Sequence, residues 1–568
     1  MAERNTRTHR RFAPLSVLLL VLGEGVTLAQ VVPVPREPQV GSSNPVTPAP
    51  WVPRPHSKPC VVPLLQEQAF ESYTPATLAY TPPAGCPGPW AKVVLTADFT
   101  VSAGIQYDRT AYFYLGGANI FYGTTAEPAP TLSPSWHVER DVTDLSAIFE
   151  APQTGAAFAG NIVNSTYTGI IYANAALEFY PASSSAPSPP VPDVVVPVSA
   201  NNAPITLNTG SDQATATLNL PRNTQRVFLD VLSQSQIDDE FWYLCVPDDV
   251  APELESCGNT AFRETEISID GKPAGVAPVY PWIFTGGIDP YLWQPIVGIQ
   301  TLDLKPYRVD LTPFAGLLGD GSSHTLAISV FNADSYFLAT ANVLVFTDHG
   351  AAVVAGGLLS DTLSAQPTPQ VTENLRTGTA GNVYGTVSVG SDRRFSISGY
   401  VETSHGRVET IVDETVHFLS FQKFDVSATK DIQDAVQTST VDVTTTTKTG
   451  ILSEMAVKHT SFPLVLNYSY LVYADGTSSQ TTSVEQGYNL QGGQGFPLFS
   501  HEVHEKIWSK DTWKFDASGN PIGPGDDAAS ASYVGTDGLG VCYSRGLTAA
   551  DGVLTTVQNG TDCLAPGQ

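Results

Sequence analysis

Three acids, Asp238-Asp239-Glu240, run straight into three aromatics, Phe241-Trp242-Tyr243, just after the β-like run Arg226 to Leu232. In an extended segment side chains alternate, which would put Asp238, Glu240 and Trp242 on one face. Two carboxyls held close together resist ionising at the same time, so one keeps its proton and can act as an acid. An indole beside them offers a flat apolar surface for a sugar ring. That set suits an enzyme working on a glycan. The plainer reading is a solvated acidic turn followed by core aromatics.

The elements that must position such residues read as strands. The chain has 568 residues, room for about three or four domains. Hydrophobic residues make up 42%, enough for real cores, while only 15% are charged and Gly and Pro are frequent. Helical periodicity is nearly absent, and the expected class is all-β. Acids outnumber bases 55 to 28, and the net charge of −27 excludes nucleic acid and anionic membranes as partners.

Arg4, Arg7, Arg10 and Arg11 precede the apolar run Ala13 to Leu22, which is too short to span a bilayer. Residues 1–29 are therefore expected to be a signal peptide cut after Ala29. The mature chain is expected to be secreted, extracellular or periplasmic, without membrane insertion, and monomeric. Six cysteines fit that compartment, and the simplest of their fifteen connectivities is sequential: Cys60–Cys86, Cys245–Cys257 and Cys542–Cys563. No Cys-x-x-Cys motif or zinc-like His spacing occurs, so neither metal nor other cofactor is expected.

Composition divides the remainder. Residues 30–58 are Pro-rich and expected to be extended or disordered. A first β-sandwich is assigned to 59–181, a Ser/Pro linker to 182–201, a second sandwich to 202–349, and a Thr/Ser-rich β domain to 350–568. Asp141-Val-Thr-Asp and Asp310-Leu-Thr-Pro-Phe each suit the cap of one helical turn, and they fall late in the first and second blocks. Two related sandwiches in tandem are expected.

Ten short motifs then occur in one order: Tyr107-Asp108-Arg109, Thr125-Ala-Glu-Pro128, Trp136-His-Val-Glu139-Arg-Asp141-Val-Thr143, Thr166-Tyr-Thr-Gly169, Asp239-Glu-Phe-Trp-Tyr243, Phe262-Arg-Glu264, Thr285-Gly-Gly-Ile-Asp-Pro290, Leu292-Trp293, Pro295-Ile296 and Asp310-Leu-Thr-Pro-Phe314. Together they resemble the peptide-N-glycanase A family, secreted acid-active amidases that remove N-linked glycans from glycoproteins. Cys245-Val-Pro-Asp-Asp249 departs from the family pattern. Tyr107-Asp108-Arg109 and the Asp239–Trp242 stretch also resemble, by motif and order, the two carboxylate positions of the bacterial F-type glycanases. Those enzymes have two adjacent jelly rolls with the active site between them. The resemblance implies two jelly-roll-like sandwiches packed side by side plus a C-terminal β domain, acting on N-glycosylated proteins or glycopeptides.

Amide hydrolysis needs an activated water, a stabilised oxyanion and a proton for the leaving nitrogen. On that requirement Asp108 is the expected base, and Glu240 the expected acid, its pKa raised by Asp238 or Asp239 and by burial against Trp242. Glu139 is a further catalytic candidate, with turn capping as its alternative role. Arg109, Asp239, Arg263 and Glu264 are candidates for holding substrate or polarising the carbonyl, with structural ion pairing as the alternative. Trp136, Trp242 and Trp293 are candidate sugar platforms or core residues. A glycoside hydrolase would also use two carboxylates, and a glycan-binding sandwich would use the aromatics alone.

Overall fold

β-branched and aromatic runs, punctuated by Gly and Pro, form strands along almost the whole chain. The computed structural model describes residues 36–379, 381–494, 499–522, 525–536, 541–561 and 563. The expected signal peptide lies outside them.

The first domain has β1 (Cys60–Phe70), β2 (Ala76–Tyr80), β3 (Trp90–Val101), β4 (Thr110–Leu115), β5 (Ala118–Thr124), β6 (Ser135–Asp141), β7 (Gln153–Ala159) and β8 (Ile171–Pro181). They form two four-stranded sheets in the orders β1-β8-β3-β6 and β2-β7-β4-β5, which is jelly-roll connectivity. Alternation sorts the side chains: along β8, Ile171, Ala173, Ala175, Leu177 and Phe179 point inward.

The second domain has β9 (Val194–Val198), β10 (Ile205–Leu207), β11 (Ala214–Leu218), β12 (Thr224–Gln236), β13 (Glu264–Ile269), β14 (Lys272–Pro278), β15 (Tyr307–Asp310), β16 (His324–Phe331) and β17 (Tyr336–Thr347). Its sheets are β10-β17-β12-β15 and β11-β16-β13-β14, the same connectivity strand for strand, with β9 added on β17. The two Asp-x-Thr echoes fall at equivalent places. Asp141 and Asp310 end β6 and β15, and each carboxylate accepts the N–H of the Thr two residues on, at 3.0 Å in both cases. The expected linker extends too far: Val194 to Val198 pair with Val345 to Ala341, because a β-branched run next to an open edge joins the sheet despite its prolines.

The third domain is one antiparallel sheet: β18 (Ala355–Asp361), β19 (Gln370–Thr377), β20 (Val383–Thr403), β21 (Gly406–Ser427), β22 (Lys430–Thr449), β23 (Leu452–Val472), β24 (Ser478–Gln494), β25 (Phe499–Phe515), β26 (Ala528–Thr536), β27 (Cys542–Ala550) and β28 (Val553–Gly560). Its apolar face covers the second jelly roll and shares its core, with Phe418 against Phe262 at 5.0 Å and Phe462 against Tyr280 at 4.9 Å. The two jelly rolls also pack on each other. β5 is buried along its whole length because both its faces are covered. The seam between them is partly polar: Gln234 accepts from the Tyr122 hydroxyl at 2.9 Å, and Asn342 donates to the Asn119 carbonyl at 3.0 Å.

The Pro-rich segment is extended and held as a strap from residue 37 onward. Gly41 and Ser42 pair with Leu554 of β28, Val46 bonds to Pro295 and Val297, and the Asn44 side chain accepts the Ser135 N–H. Arg54 grips Glu139 and Glu178 of the first domain. The strap thus touches all three domains. The three disulfides are the sequential ones.

Candidate active site

The matching topologies put matching loops at the seam. The β3–β4 loop of the first jelly roll carries Asp108, and the equivalent β12–β13 loop of the second carries Glu240. The β5–β6 loop carries Glu127, and its counterpart, between β14 and β15, carries Gly286-Gly287. These four loops meet. Gly286 donates its N–H to Asp108 Oδ2 at 2.9 Å, and Asp108 donates its own N–H to Glu127 Oε2 at 3.3 Å. A methyl group on Gly286 would lie 2.1 Å from Glu127 Oε2 and 3.2 Å from Asp108 Cγ. One on Gly287 would lie 3.4 Å from Glu240 Oε1. Glycine is required here because two backbone units must approach three carboxyls closely.

Three carboxyls at one place cannot all ionise. Burial pushes Glu240 well above the ordinary carboxyl range, and the charges of Asp108 and Glu127 push it further. Glu127 is pushed up to about 8, first by burial and then by Asp108. Asp108 is raised by burial, but the Gly286 N–H and Arg109 oppose the rise. Asp108 is therefore the member best supported as an anion, while Glu127 and Glu240 hold protons at acidic and neutral pH.

The flanking backbone is strained. Ile237, which opens the turn bearing Glu240, has φ +58°, and Ile288, after the glycine pair, has φ +66°. β-branched residues avoid that region, at a cost of about 1–3 kcal/mol each, and such strain gathers at functional sites. The 237–244 segment is a 3-10 turn, not a strand, which corrects the expected face of Asp238, Glu240 and Trp242. Asp238 points to solvent, Trp242 is buried in the core against Phe418, and the Glu240 pKa is raised by Asp108 and Glu127 across the seam, not by its sequence neighbours.

Among the other sequence candidates, Arg109 reaches the site, its guanidinium over the rings of Tyr107 and Tyr167 at 5.7 and 5.5 Å and its charge acting on Asp108. Trp293 is 2% exposed and donates its indole N–H to the Gly287 carbonyl at 2.9 Å, so it fixes the glycine loop from beneath. Asp239 and Arg263 form a fully buried ion pair, and Asp239 also accepts the N–H groups of Asp334 and Ser335. That pair braces the loop behind Glu240. Glu264 is paired with Arg393 of the third domain, and Trp136 stacks on Phe99 inside the first core. Glu139 is bound by Arg54, His137 and the Val52 N–H, and Arg54 and His137 hold its pKa down to about 2; it anchors the strap. Sequence reasoning missed the role of Glu127. The available signal was Thr125-Ala-Glu-Pro128 itself: Thr125 exchanges backbone and side-chain bonds with Arg109, which pins Glu127 beside Asp108. Among the described residues, no group of three or more His, Cys, Asp and Glu is arranged to hold a metal ion.

Two paired jelly rolls thus bring three carboxyls together at their seam, a set able to give and take protons. The model of a family described as peptide N-acetyl-beta-D-glucosaminyl asparaginase amidase A matches residues 48–362, and the chain belongs to that family. It is 28% identical, over 535 residues, to peptide-N4-(N-acetyl-beta-glucosaminyl)asparagine amidase A of Prunus dulcis, with 90% of this chain and 91% of that protein covered. Among solved structures, PNGF-II is 12% identical with a TM-score of 0.37, over 52% of this chain and 66% of that one. Recombinant N-glycanase F is 12% identical with a TM-score of 0.35, over 51% of this chain and 96% of that one.

Proposed function

We propose that Asp108, Glu240 and Glu127 carry out the reaction of this family in this chain. The protein is an amidase that removes N-linked glycans by hydrolysing the bond between the asparagine side chain and the first N-acetylglucosamine. The observation that carries the site assignment is the meeting of three carboxyls on Gly286-Gly287. Asp108, ionised, takes a proton from water, and the resulting oxygen attacks the side-chain carbonyl carbon. Arg109 offsets the charge that develops on the carbonyl oxygen. Glu240, protonated, gives its proton to the departing nitrogen as the C–N bond breaks. The products are an aspartate and a glycosylamine. Protonated Glu127 holds the water beside Asp108.

This division of labour needs Glu127 and Glu240 protonated, a state that burial maintains through acidic and neutral pH. Basic residues, an apolar run and three disulfides support export. Mass spectrometry of a treated glycopeptide tests the activity. The amidase converts asparagine to aspartate; a product retaining one N-acetylglucosamine would make the protein a glycosidase, and an unchanged peptide a binding protein.

A further inference from the structure

The third domain reaches the active site through one face of β25. Ser509, Asp511, Trp513 and Phe515 alternate along that strand and share a side. Ser509 donates to the Leu292 carbonyl at 2.5 Å. Asp511, fully buried, lies against Asp289; burial raises the proton affinity of both carboxyls, and the charge of Asp511 raises that of Asp289 further. The Trp513 ring sits 4.5 Å from that of Tyr291, and Phe515 stacks on Trp513 at 6.0 Å and 16°. Leu292, Asp289 and Tyr291 belong to the loop that carries Gly286 and Gly287. That loop also wraps Glu127: Thr285 donates to the Thr125 carbonyl and Gln294 to the Glu127 carbonyl.

The face therefore changes character along its length. Ser509 and Asp511 are buried and clamp the catalytic loop. Tyr291 is 36% exposed, and Trp513 and Phe515 are half-buried, so a row of three aromatic rings leads away from the carboxyls into solvent. We propose that Tyr291, Trp513 and Phe515 form a subsite for the saccharides of the N-glycan beyond the first two rings, to which the third domain supplies Trp513 and Phe515. The C–H face of a pyranose ring matches an aromatic face, and exposed Asp526 nearby offers acceptors for its hydroxyls. A peptide fits this surface poorly. Extended peptides are held by free backbone groups on a strand edge, and here the Thr512 and Lys514 carbonyls already accept from Asp526 and Ile522.

The proposal rests on the amidase reading, and the test separates the two. One peptide is prepared with chitobiose alone and with a full high-mannose glycan. Trp513→Ala should raise KM for the long glycan about tenfold more than for chitobiose, with little change in the ratio of kcat values, and Trp513→Phe should restore most of the preference. Free high-mannose oligosaccharide should quench the tryptophan fluorescence of the wild-type protein more than that of Trp513→Ala. An equal loss on both substrates, a loss confined to kcat, a loss that tracks peptide length, or no change would overturn the subsite. If the wild-type protein forms no aspartate, the amidase reading fails, and oligosaccharide binding alone then decides the subsite.

Discussion

The two jelly rolls share strand order, cap and loop placement, yet they brace their catalytic loops differently. In the first, the Asp108 loop is held by hydrogen bonds to its neighbours: Arg109 to Thr125, and Asp108 to Glu127 and Gly286. In the second, the Glu240 loop is longer, closed by the Cys245–Cys257 disulfide, and fastened by the buried Asp239–Arg263 pair. The result is two carboxyls in equivalent loops with unequal surroundings. Asp108 receives an N–H and a nearby guanidinium, whereas Glu240 receives burial and two like charges. One scaffold used twice thus holds two carboxyls of unequal proton affinity, which is what the proposed base and acid roles require, because environment and not topology sets that affinity.

The sharpest way to break this comparison is to neutralise each loop in turn. Asp108→Asn should lower kcat by about a thousandfold or more, and Glu240→Gln by about a hundredfold, with thermal unfolding near that of the parent. Equal losses, or near-normal turnover of Asp108→Asn, would show that the loops are not specialised as described. The glycine pair offers a second test. Gly286→Ala places a methyl on Glu127 and should cost about a hundredfold in kcat/KM, while Gly287→Ala, whose nearest atom is the Phe284 carbonyl oxygen at 3.2 Å, should cost about tenfold.

The acidic side of the comparison fixes a pH dependence. Glu127 rises to about 8 in the fold from an ordinary value near 4.5. The folded state therefore binds more protons than the unfolded chain between those values, and stability should fall as pH rises from about 4 to about 8. The rate, in contrast, should hold through neutrality and fall only as Glu127 ionises near pH 8. Glu127→Gln, which mimics the protonated form, should move the alkaline limb of kcat/KM upward and flatten the loss of melting temperature; an unmoved limb would remove Glu127 from the site. A smaller effect on rate, though a large one on stability, is expected from the brace. Asp239→Ala strands a buried Arg263 and should cost about 3–5 kcal/mol in chemical unfolding, whereas among the described residues no equivalent pair supports the Asp108 loop.

Much of this was legible in the residues. The β-like run Arg226 to Leu232 falls inside β12, the all-β class holds along the chain, and the Asp-x-Thr echo marked the repeat. Glu240 stood out as an acid running into aromatics, and Asp108 through the resemblance of Tyr107-Asp108-Arg109 to the glycanases. The tryptophans were not legible. Trp136, Trp242 and Trp293 share a residue type but end in a core stack, a domain interface and a loop support, which only tertiary packing decides. Glu127 escaped for the same reason: its partners Asp108 and Gly286 lie 19 and roughly 160 positions away in the chain. The strap escaped because proline-rich composition reports a lack of regular structure and is silent about anchoring.

The strap also sets an order of events. Gly41 and Ser42 are made early, but their partner Leu554 is made near the far end of the chain. Domains generally fold as they emerge, N-terminal first, so both jelly rolls can form while the strap still waits for β28. Its contact with β28 can therefore form only after β28 is made, while the same segment also reaches Pro295 and Val297, just beyond the Gly286-Gly287 loop. A chain shortened before β28 should still build both jelly rolls but leave the Gly41–Ser42 end of the strap undocked.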